Sequence, residues 1–379
     1  MSSMNMKIFA FAMLPAIAAW STAPKATLRS LFDRTSTDDV LADPISKQPL
    51  RAEVTVVGGL RRERCVSQDG IRYPVNRLYA DLVPTSGRSE ESLTIGIDEL
   101  REELVDAWGS RVQTGLFRSP LTAFLYERGW RQNFKAAGFP GIDVEFNEVQ
   151  RWFRPAAGGV VVDMSCGSGL MTRRLVKSSV YGRVLALDYS EAMLQETARR
   201  VQEEGVSTKA LTLCRADVAA LPLRPTSIDA MHAGAAMHCW PRLEEGLRQI
   251  RQVLRPGGLF YATTFLQGAY GSGMPRQTGG SSFRFFRDAD ELRLLLVDAG
   301  FEPSSVTVRI EGRGCAVIKA VAPALTSPST LAPEEVTMEE LVSVEAAAEM
   351  VASPPLVDTE PKAADDEAEG VNRFFENLD

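Results

Sequence analysis

The sequence predicts an α/β fold, an open and mostly parallel sheet with helices on both faces. Three observations carry that prediction. Gly159-Val160-Val161-Val162-Asp163-Met164 is a β-branched run that passes through Ser165-Cys166-Gly167-Ser168-Gly169 into a helical stretch, Leu170 to Lys177. A second apolar run, Arg183 to Asp188, ends on an acid 25 positions after Asp163. Strand-like and helix-like segments then alternate, which is the pattern of a parallel sheet built from crossover units.

Each element follows from its residues. Continuous β-branched or apolar runs of five or six residues suit strands buried on both faces. After the second strand, Tyr189 to Leu194 opens a helix with Ser190 as its N-cap. A third strand is expected over Ala210 to Arg215, followed by Ala216-Asp217, and a fourth over Ser227 to Gly234, followed by His238-Cys239-Trp240-Pro241. A helix from Leu243 to Leu254 should stop at Arg255-Pro256-Gly257-Gly258, and Leu259 to Phe265 reads as the fifth strand.

Composition bounds the remainder. With 379 residues, 45% hydrophobic and 24% charged, the chain is long enough for one large domain with attachments and too apolar to be wholly disordered. No apolar run reaches the roughly 18 residues that a spanning helix needs. The five cysteines (Cys65, Cys166, Cys214, Cys239, Cys315) are scattered and contain no C-x-x-C pair, so neither a disulfide framework nor a zinc site is expected.

The formal net charge of −7 is unevenly placed. Val321 to Asp379 holds 14 acids against Lys362 and Arg373, a balance of −12, and the remainder carries +5. Residues 323–379, rich in Pro, Ala, Ser, Thr and acids, read as an acidic disordered tail, within which Met338 to Ala352 could form a short helix. At the other end, residues 1–36 read as a presequence. Ile8 to Ala18 is a short apolar region ending in Ala-x-Ala, and a basic, Ser/Thr-containing stretch with Lys25, Arg29 and Arg34 follows Trp20. The arrangement resembles the signal-plus-transit presequences of algae with secondary plastids. A plain secretory signal is the alternative.

The strand, glycine turn and helix at 159–177 bring backbone N–H groups and a helix N-terminus toward a ligand, and a Cβ at the glycines would block that approach. An acid closing the second strand is where a ribose hydroxyl pair is held. A glycine turn alone also fits nicotinamide enzymes. The series discriminates: Asp163 before the Gly-x-Gly turn, Asp188 after strand two, Asp217 after strand three and Arg255-Pro256-Gly257-Gly258 before strand five together resemble the class I S-adenosylmethionine-dependent methyltransferases. The resemblance covers about residues 96 to 320. It narrows on Tyr126 to Phe134, Gly138-Phe139-Pro140-Gly141, Asp163 to Leu170 and His232 to Trp240, which resemble the uncharacterized chloroplastic methyltransferases of plants, proteins associated with plastoglobules and similar to quinone-biosynthesis methyltransferases.

That resemblance implies a Rossmann-like domain over residues 96–322 with a seven-stranded, mostly parallel sheet, S-adenosylmethionine as methyl donor and no metal. By position, Gly167 and Gly169 would line the methionine and ribose side, and Asp163 would orient the loop or the donor's amine. Asp188 would accept the ribose hydroxyls, Tyr189 and Met193 would flank the adenine, and Asp217 would receive its amino group, with Ala216 and Val218 alongside. Ser165 departs from the wider class, in which many members carry a glycine there. The plastid relatives share Ser-Cys-Gly-Ser-Gly, so donor binding is still expected.

Methyl transfer from a sulfonium needs alignment in a dry pocket, and a base only where the acceptor must lose a proton. The chain's two histidines, His232 and His238, both fall on or just after the fourth strand, where class I enzymes face the acceptor. His238 is the better candidate base and Trp240 an aromatic wall, while His232 is either a second base or a buried support of the strand end. The aromatic stretch Phe124 to Trp130 reads as core before lid. The Gly/Ser-rich segment Gln267 to Ser282, next to Phe283-Arg284-Phe285-Phe286, suits an apolar small-molecule acceptor. Nucleic acid is a less favoured partner, because basic residues do not concentrate there. Peripheral contact with lipid bodies or thylakoids fits a plastid protein without a transmembrane helix.

Residues 37–95 resemble the small zinc-ribbon module that precedes some methyltransferases, through Asp43-Pro44-Ile45-Ser46, Gly70 to Val75 and Tyr79 to Leu82. Asp43 and Ser46 stand where that module has its first two cysteines, so the expectation is a metal-free remnant folded by its apolar residues alone. Three functions are thus in play: a methyltransferase of a small apolar plastid metabolite (a prenylquinol or lipid), an RNA base methyltransferase, and a catalytically silent donor-binding scaffold at lipid bodies.

Overall fold

In the computed structural model, the described residues are 40–57, 60–87, 138–267 and 284–324. The presequence, the 124–134 aromatic segment, the Gly/Ser-rich segment with Phe283, and the acidic tail lie outside them. The strands are β1 (Arg51–Val57), β2 (Leu60–Val66), β3 (Arg72–Val75), β4 (Ala80–Asp81), β5 (Val160–Met164), β6 (Arg183–Asp188), β7 (Leu211–Arg215), β8 (Ile228–Ala233), β9 (Leu254–Phe265), β10 (Thr307–Glu311) and β11 (Cys315–Val321). Five helices accompany them: α1 (Ile142–Trp152), α2 (Leu170–Lys177), α3 (Glu191–Glu203), α4 (Leu243–Val253) and α5 (Ala289–Asp298).

All eleven strands join one sheet in the order β1-β2-β3-β4-β7-β6-β5-β8-β9-β11-β10. β4, β7, β6, β5, β8 and β9 are mutually parallel, and β10 and β11 close one side antiparallel. The expected seven strands are β5 to β11. The sheet is larger because β4 pairs in parallel with β7, through Ala80↔Cys214 and Asp81↔Arg215, and so adds the N-terminal strands to the same sheet.

Alternate strand residues face opposite ways, and both faces are buried. Val162, Leu185, Met231, Phe260 and Ile318 point into one apolar cluster, which α4 (Leu247, Ile250) and α5 (Leu292, Leu296) cover. Val161, Val184, Ala230, Tyr261 and Val317 point into the other, covered by Val149 of α1, Leu175 of α2 and Leu194 and Ala198 of α3. α2 and β6 have the expected bounds, and Ser190 caps α3 by accepting the Met193 N–H at 3.4 Å. One boundary differs: β9 starts at Leu254 instead of Leu259, because Leu254 pairs with Ile228 and the Arg255–Gly258 stretch is taken up as an irregularity within the strand.

The N-terminal strands do not fold by apolar residues alone. Asp43, 3% exposed, accepts the Ile45 and Ser46 N–H groups on Oδ1 at 2.9 and 2.8 Å, and the Tyr73 hydroxyl on Oδ2 at 2.8 Å. The carboxylate closes the turn and ties it to β3. Lys47 donates to the Leu221 carbonyl and to Gln249 at 2.7 and 2.6 Å, and Arg215 pairs with Asp81 at 3.0 Å. Val40, Leu41, Tyr73 and Leu82 belong to the same buried cluster as β5 and β8. Among the described residues no group of three or more His, Cys, Asp or Glu could hold a metal ion, and no helix is long and apolar enough to cross a membrane.

Candidate functional site

The C-terminal ends of β5, β6, β7 and β8 lie side by side, and the turns leaving them carry the residues singled out by sequence. The turn after β5 is tight. Ser165, Gly167 and Gly169 have φ of 56°, 57° and 75°, the left-handed region that glycine enters freely and serine does not. The class's usual glycine at Ser165 is thereby explained, and here the serine is braced: its Oγ accepts the Trp240 indole N–H at 3.0 Å. Gly169 has a different reason from the one expected. A Cβ there would stand 2.6 Å from Cγ2 of Thr197 on α3, so it lets helix and loop pack closely. The Thr197 hydroxyl then donates to the Gly167 carbonyl at 2.8 Å.

Asp188 organises the same loop from β6. Its Oδ2 accepts the Gly167 N–H at 2.9 Å and its Oδ1 accepts the Ser190 N–H at 2.8 Å. Burial raises its pKa to about 6, and these amides only partly offset that rise. Tyr189 lies beneath the Arg215 guanidinium, 5.2 Å from its ring centre, and Met193 is buried below it on α3. Ala216 donates its N–H to the Asp188 carbonyl at 3.0 Å, and Asp217 accepts the Ala219 N–H at 2.9 Å and Arg242 at 2.8 Å. Val218 is buried against Gly246 of α4.

The two histidines occupy opposite environments. His232, on β8, is 3% exposed, with Nδ1 2.8 Å from Asp163 Oδ1 and Nε2 3.4 Å from Glu145 Oε1. Burial alone would lower its pKa, but the hydrogen bonds to Asp163 and Glu145 outweigh this and raise it to about 9. His238, in a short 3-10 turn after β8, is buried among apolar groups, edge-on to Phe265 at 4.8 Å with Phe139 beyond it. Its Nδ1 lies 3.5 Å from the Thr264 hydroxyl, and desolvation lowers its pKa to about 3, so the ring is neutral. Asp163 is also fully engaged, since its second oxygen accepts the Thr172 hydroxyl.

The structure therefore gathers Asp163, Ser165, Gly167, Gly169, Asp188, Tyr189, Met193, Ala216, Asp217 and Val218 at adjoining strand ends, with Trp240 tied to the glycine loop and His238 edge-on to Phe265. Sequence reasoning missed Glu145. Its signal was available: residues 142–152 form an amphipathic helix whose buried face holds Glu145, Glu148 and Val149, and an acid on such a face needs a partner.

A nucleoside donor would fit this arrangement on two grounds. Asp188 offers a buried, costly carboxylate whose two oxygens are aimed by backbone amides, a good acceptor for paired hydroxyls. The Ser168 hydroxyl, 1% exposed within the glycine loop, has no hydrogen-bond partner among the described residues, an unmet bond where a polar ligand end would lie.

Comparison with known proteins agrees. Residues 162–262 match the family model described as a methyltransferase domain. Two Arabidopsis thaliana proteins described as uncharacterized chloroplastic methyltransferases are 49% and 50% identical over 158 and 157 residues. Each match covers 41% of this chain, and the chain spans 45% and 44% of those relatives' lengths. A ubiquinone/menaquinone biosynthesis C-methyltransferase of Roseobacter denitrificans is 28% identical over 174 residues, covering 40% of this chain and 69% of that protein.

Proposed function

We propose that the protein is an S-adenosylmethionine-dependent methyltransferase acting on a small apolar acceptor in a plastid. The carrying observation is Asp188, a buried carboxylate at the end of β6 that is tied to the Gly167 N–H and so couples strand end to glycine loop. The donor supplies an activated methyl group, so the chain must chiefly align and dehydrate the reactants. Asp188 would take the ribose hydroxyls, Tyr189 and Met193 the adenine faces and Asp217 the adenine amino group. Gly167 and Ser168 would meet the methionine end.

On the acceptor side, His238 is the group proposed to receive a proton. With a pKa near 3 it is proton-free at neutral pH but weakly basic, so it serves an acceptor whose proton becomes strongly acidic on methylation, such as a ring carbon of a quinol. Its Phe265 and Phe139 neighbours favour an apolar molecule. The names of the relatives, chloroplastic and quinone-related, agree with a prenylquinol or lipid in a plastid, with a secretory location and lipid-body contact left as the further readings. Nucleic acid is disfavoured, because Arg284 in the arginine-aromatic segment is neutralised by Glu244 at 2.6 Å and Glu291 at 3.3 Å.

The test is calorimetric titration with S-adenosylmethionine, then incubation of labelled donor with a plastid lipid extract and, separately, with RNA. Binding and label in the lipid fraction are expected. Absence of binding removes the donor assignment and leaves the silent scaffold without its ligand, whereas label in RNA alone reverses the choice of acceptor. His238→Ala should retain donor binding and lose turnover at least about 100-fold; full turnover would remove His238 as the base.

A further inference from the structure

The reaction proposed above gives His232 no task, yet its surroundings are the most polar buried cluster of the site. A neutral imidazole has one N–H and one lone pair. Asp163 lies 2.8 Å from Nδ1 and Glu145 lies 3.4 Å from Nε2, so a neutral ring would set its lone pair against a carboxylate oxygen where little water can intervene. The protonated ring donates on both sides. The other groups facing the cluster do not replace this charge. Tyr261 of β9 stacks on the ring at 5.9 Å and donates to Glu148 of α1, and the Cys315 thiol of β11 is pushed up by burial and by Glu145.

The cluster reaches two loops. Through Asp163 it holds the Thr172 hydroxyl at the start of α2, just beyond the glycine turn. Through Glu145 it holds the Thr263 hydroxyl at 3.2 Å, whose oxygen accepts the Ala235 N–H at 2.8 Å. Ala235 has φ 49°, a conformation that needs such a restraint. Next to it, a Cβ on Gly234 would come within 2.8 Å of the His232 ring and 3.3 Å of Glu145 Oε1. Residues 234–240 therefore leave β8 pressed against this cluster on their way to His238.

We propose that Glu145 is a positioning residue which, through an imidazolium at His232 that donates to both Asp163 and Glu145, locks the segment Gly234–Trp240 to the glycine turn. The assignment of that segment to the acceptor rests on the methyl-transfer reading, while the charge of His232 does not. Neither side chain touches the reacting atoms in this scheme. They set the distance between donor and acceptor.

The chain has two histidines, so the full-length protein labelled with 15N-histidine gives two resolvable ring systems. Long-range proton–nitrogen spectra between pH 5.5 and 9.5 should show one imidazolium that persists above pH 8 and one ring that stays neutral. In Glu145→Gln the imidazolium should titrate at least about one pH unit lower, with the Ala235 amide resonance shifted, donor affinity within about threefold of the parent, and transfer to the lipid extract slowed about tenfold or more. Glu145→Asp should restore part of the midpoint. A ring at His232 that is neutral at pH 7 in the unaltered protein overturns the proposal without any variant. So does Glu145→Gln with both midpoint and Ala235 resonance unmoved. If the unaltered protein binds no S-adenosylmethionine, the methyl-transfer reading fails, and the ring spectra still decide the charge of His232.

Discussion

Two tight turns in this fold are each organised by a buried aspartate, and each uses its carboxylate differently. Asp43 is satisfied inward: two backbone amides and the Tyr73 hydroxyl converge on it and close the N-terminal turn. Asp188 accepts backbone amides alone from Gly167 and Ser190 among its closest partners, and its charge remains costly, with a pKa of about 6. The same residue type is a brace in one place and a poised acceptor in the other. What separates them is that a side-chain hydroxyl is built into the fold at Asp43, whereas at Asp188 the proposed function has it arrive with the donor.

That contrast can be broken by exchanging the readouts. Asp188→Ala should weaken S-adenosylmethionine binding at least about 100-fold, the loss of about 3 kcal/mol of charge-assisted hydrogen bonding, while unfolding stability changes by about 1 kcal/mol or less, because a penalised charge goes with the lost acceptor. Asp43→Ala should do the reverse. Three donors, among them the buried Tyr73 hydroxyl, lose their acceptor, stability falls by about 2–4 kcal/mol in denaturant titration, and donor affinity stays within about threefold. Zinc or a chelator should leave the melting temperature of the unaltered protein unmoved, and a rise with zinc would mean that Asp43 is not the whole closure.

Proton linkage sharpens the same comparison. The folded pKa of Asp188 lies above its ordinary value of 3.8, so the free protein gains stability from this group as pH falls through 6 toward 4 and loses it as pH rises. Donor binding needs the ionised form and runs the other way, weakening about fivefold between pH 6 and pH 5 in calorimetry. A flat affinity over that interval would show that Asp188 does not take the hydroxyls. The smallest expected effect is at the brace of the glycine turn. Trp240→Phe removes the indole N–H from Ser165 and should cost about 1 kcal/mol; Ser165→Gly in that background should recover part of it by relieving the left-handed serine.

Much of this was legible in the residues. β6 and α2 were visible because an apolar run and a glycine turn are local signals, and Asp163, Asp188 and Asp217 stood out by recurring after successive strands. The parallel pairing of β4 with β7 was not, since two residues, Ala80 and Asp81, make the contact and no periodicity marks so short a strand. Gly169 and Trp240 each have a structural tie that their motif does not display. Each depends on a partner far along the chain, Thr197 and Ser165, and the spacing of a motif does not reveal what lies across from it. Glu145 was overlooked although its helix carried the signal, an acid on the buried face beside Val149, because a carboxylate on a helix is ordinarily solvated.

The junction of β4 with β7 also governs the order in which the molecule can assemble. Ala80 leaves the ribosome well before Cys214, its partner in the sheet, and Leu41 waits still longer for Leu223. Until then the N-terminal strands have their own antiparallel pairings and an Asp43-closed turn, but the outer edge of β4 has no partner. Contacts between such distant positions form late and slowly. The strands β1 to β4, made before the rest of the sheet, are therefore among the last to be secured, and an unpaired strand edge travels with the nascent protein until β7 arrives.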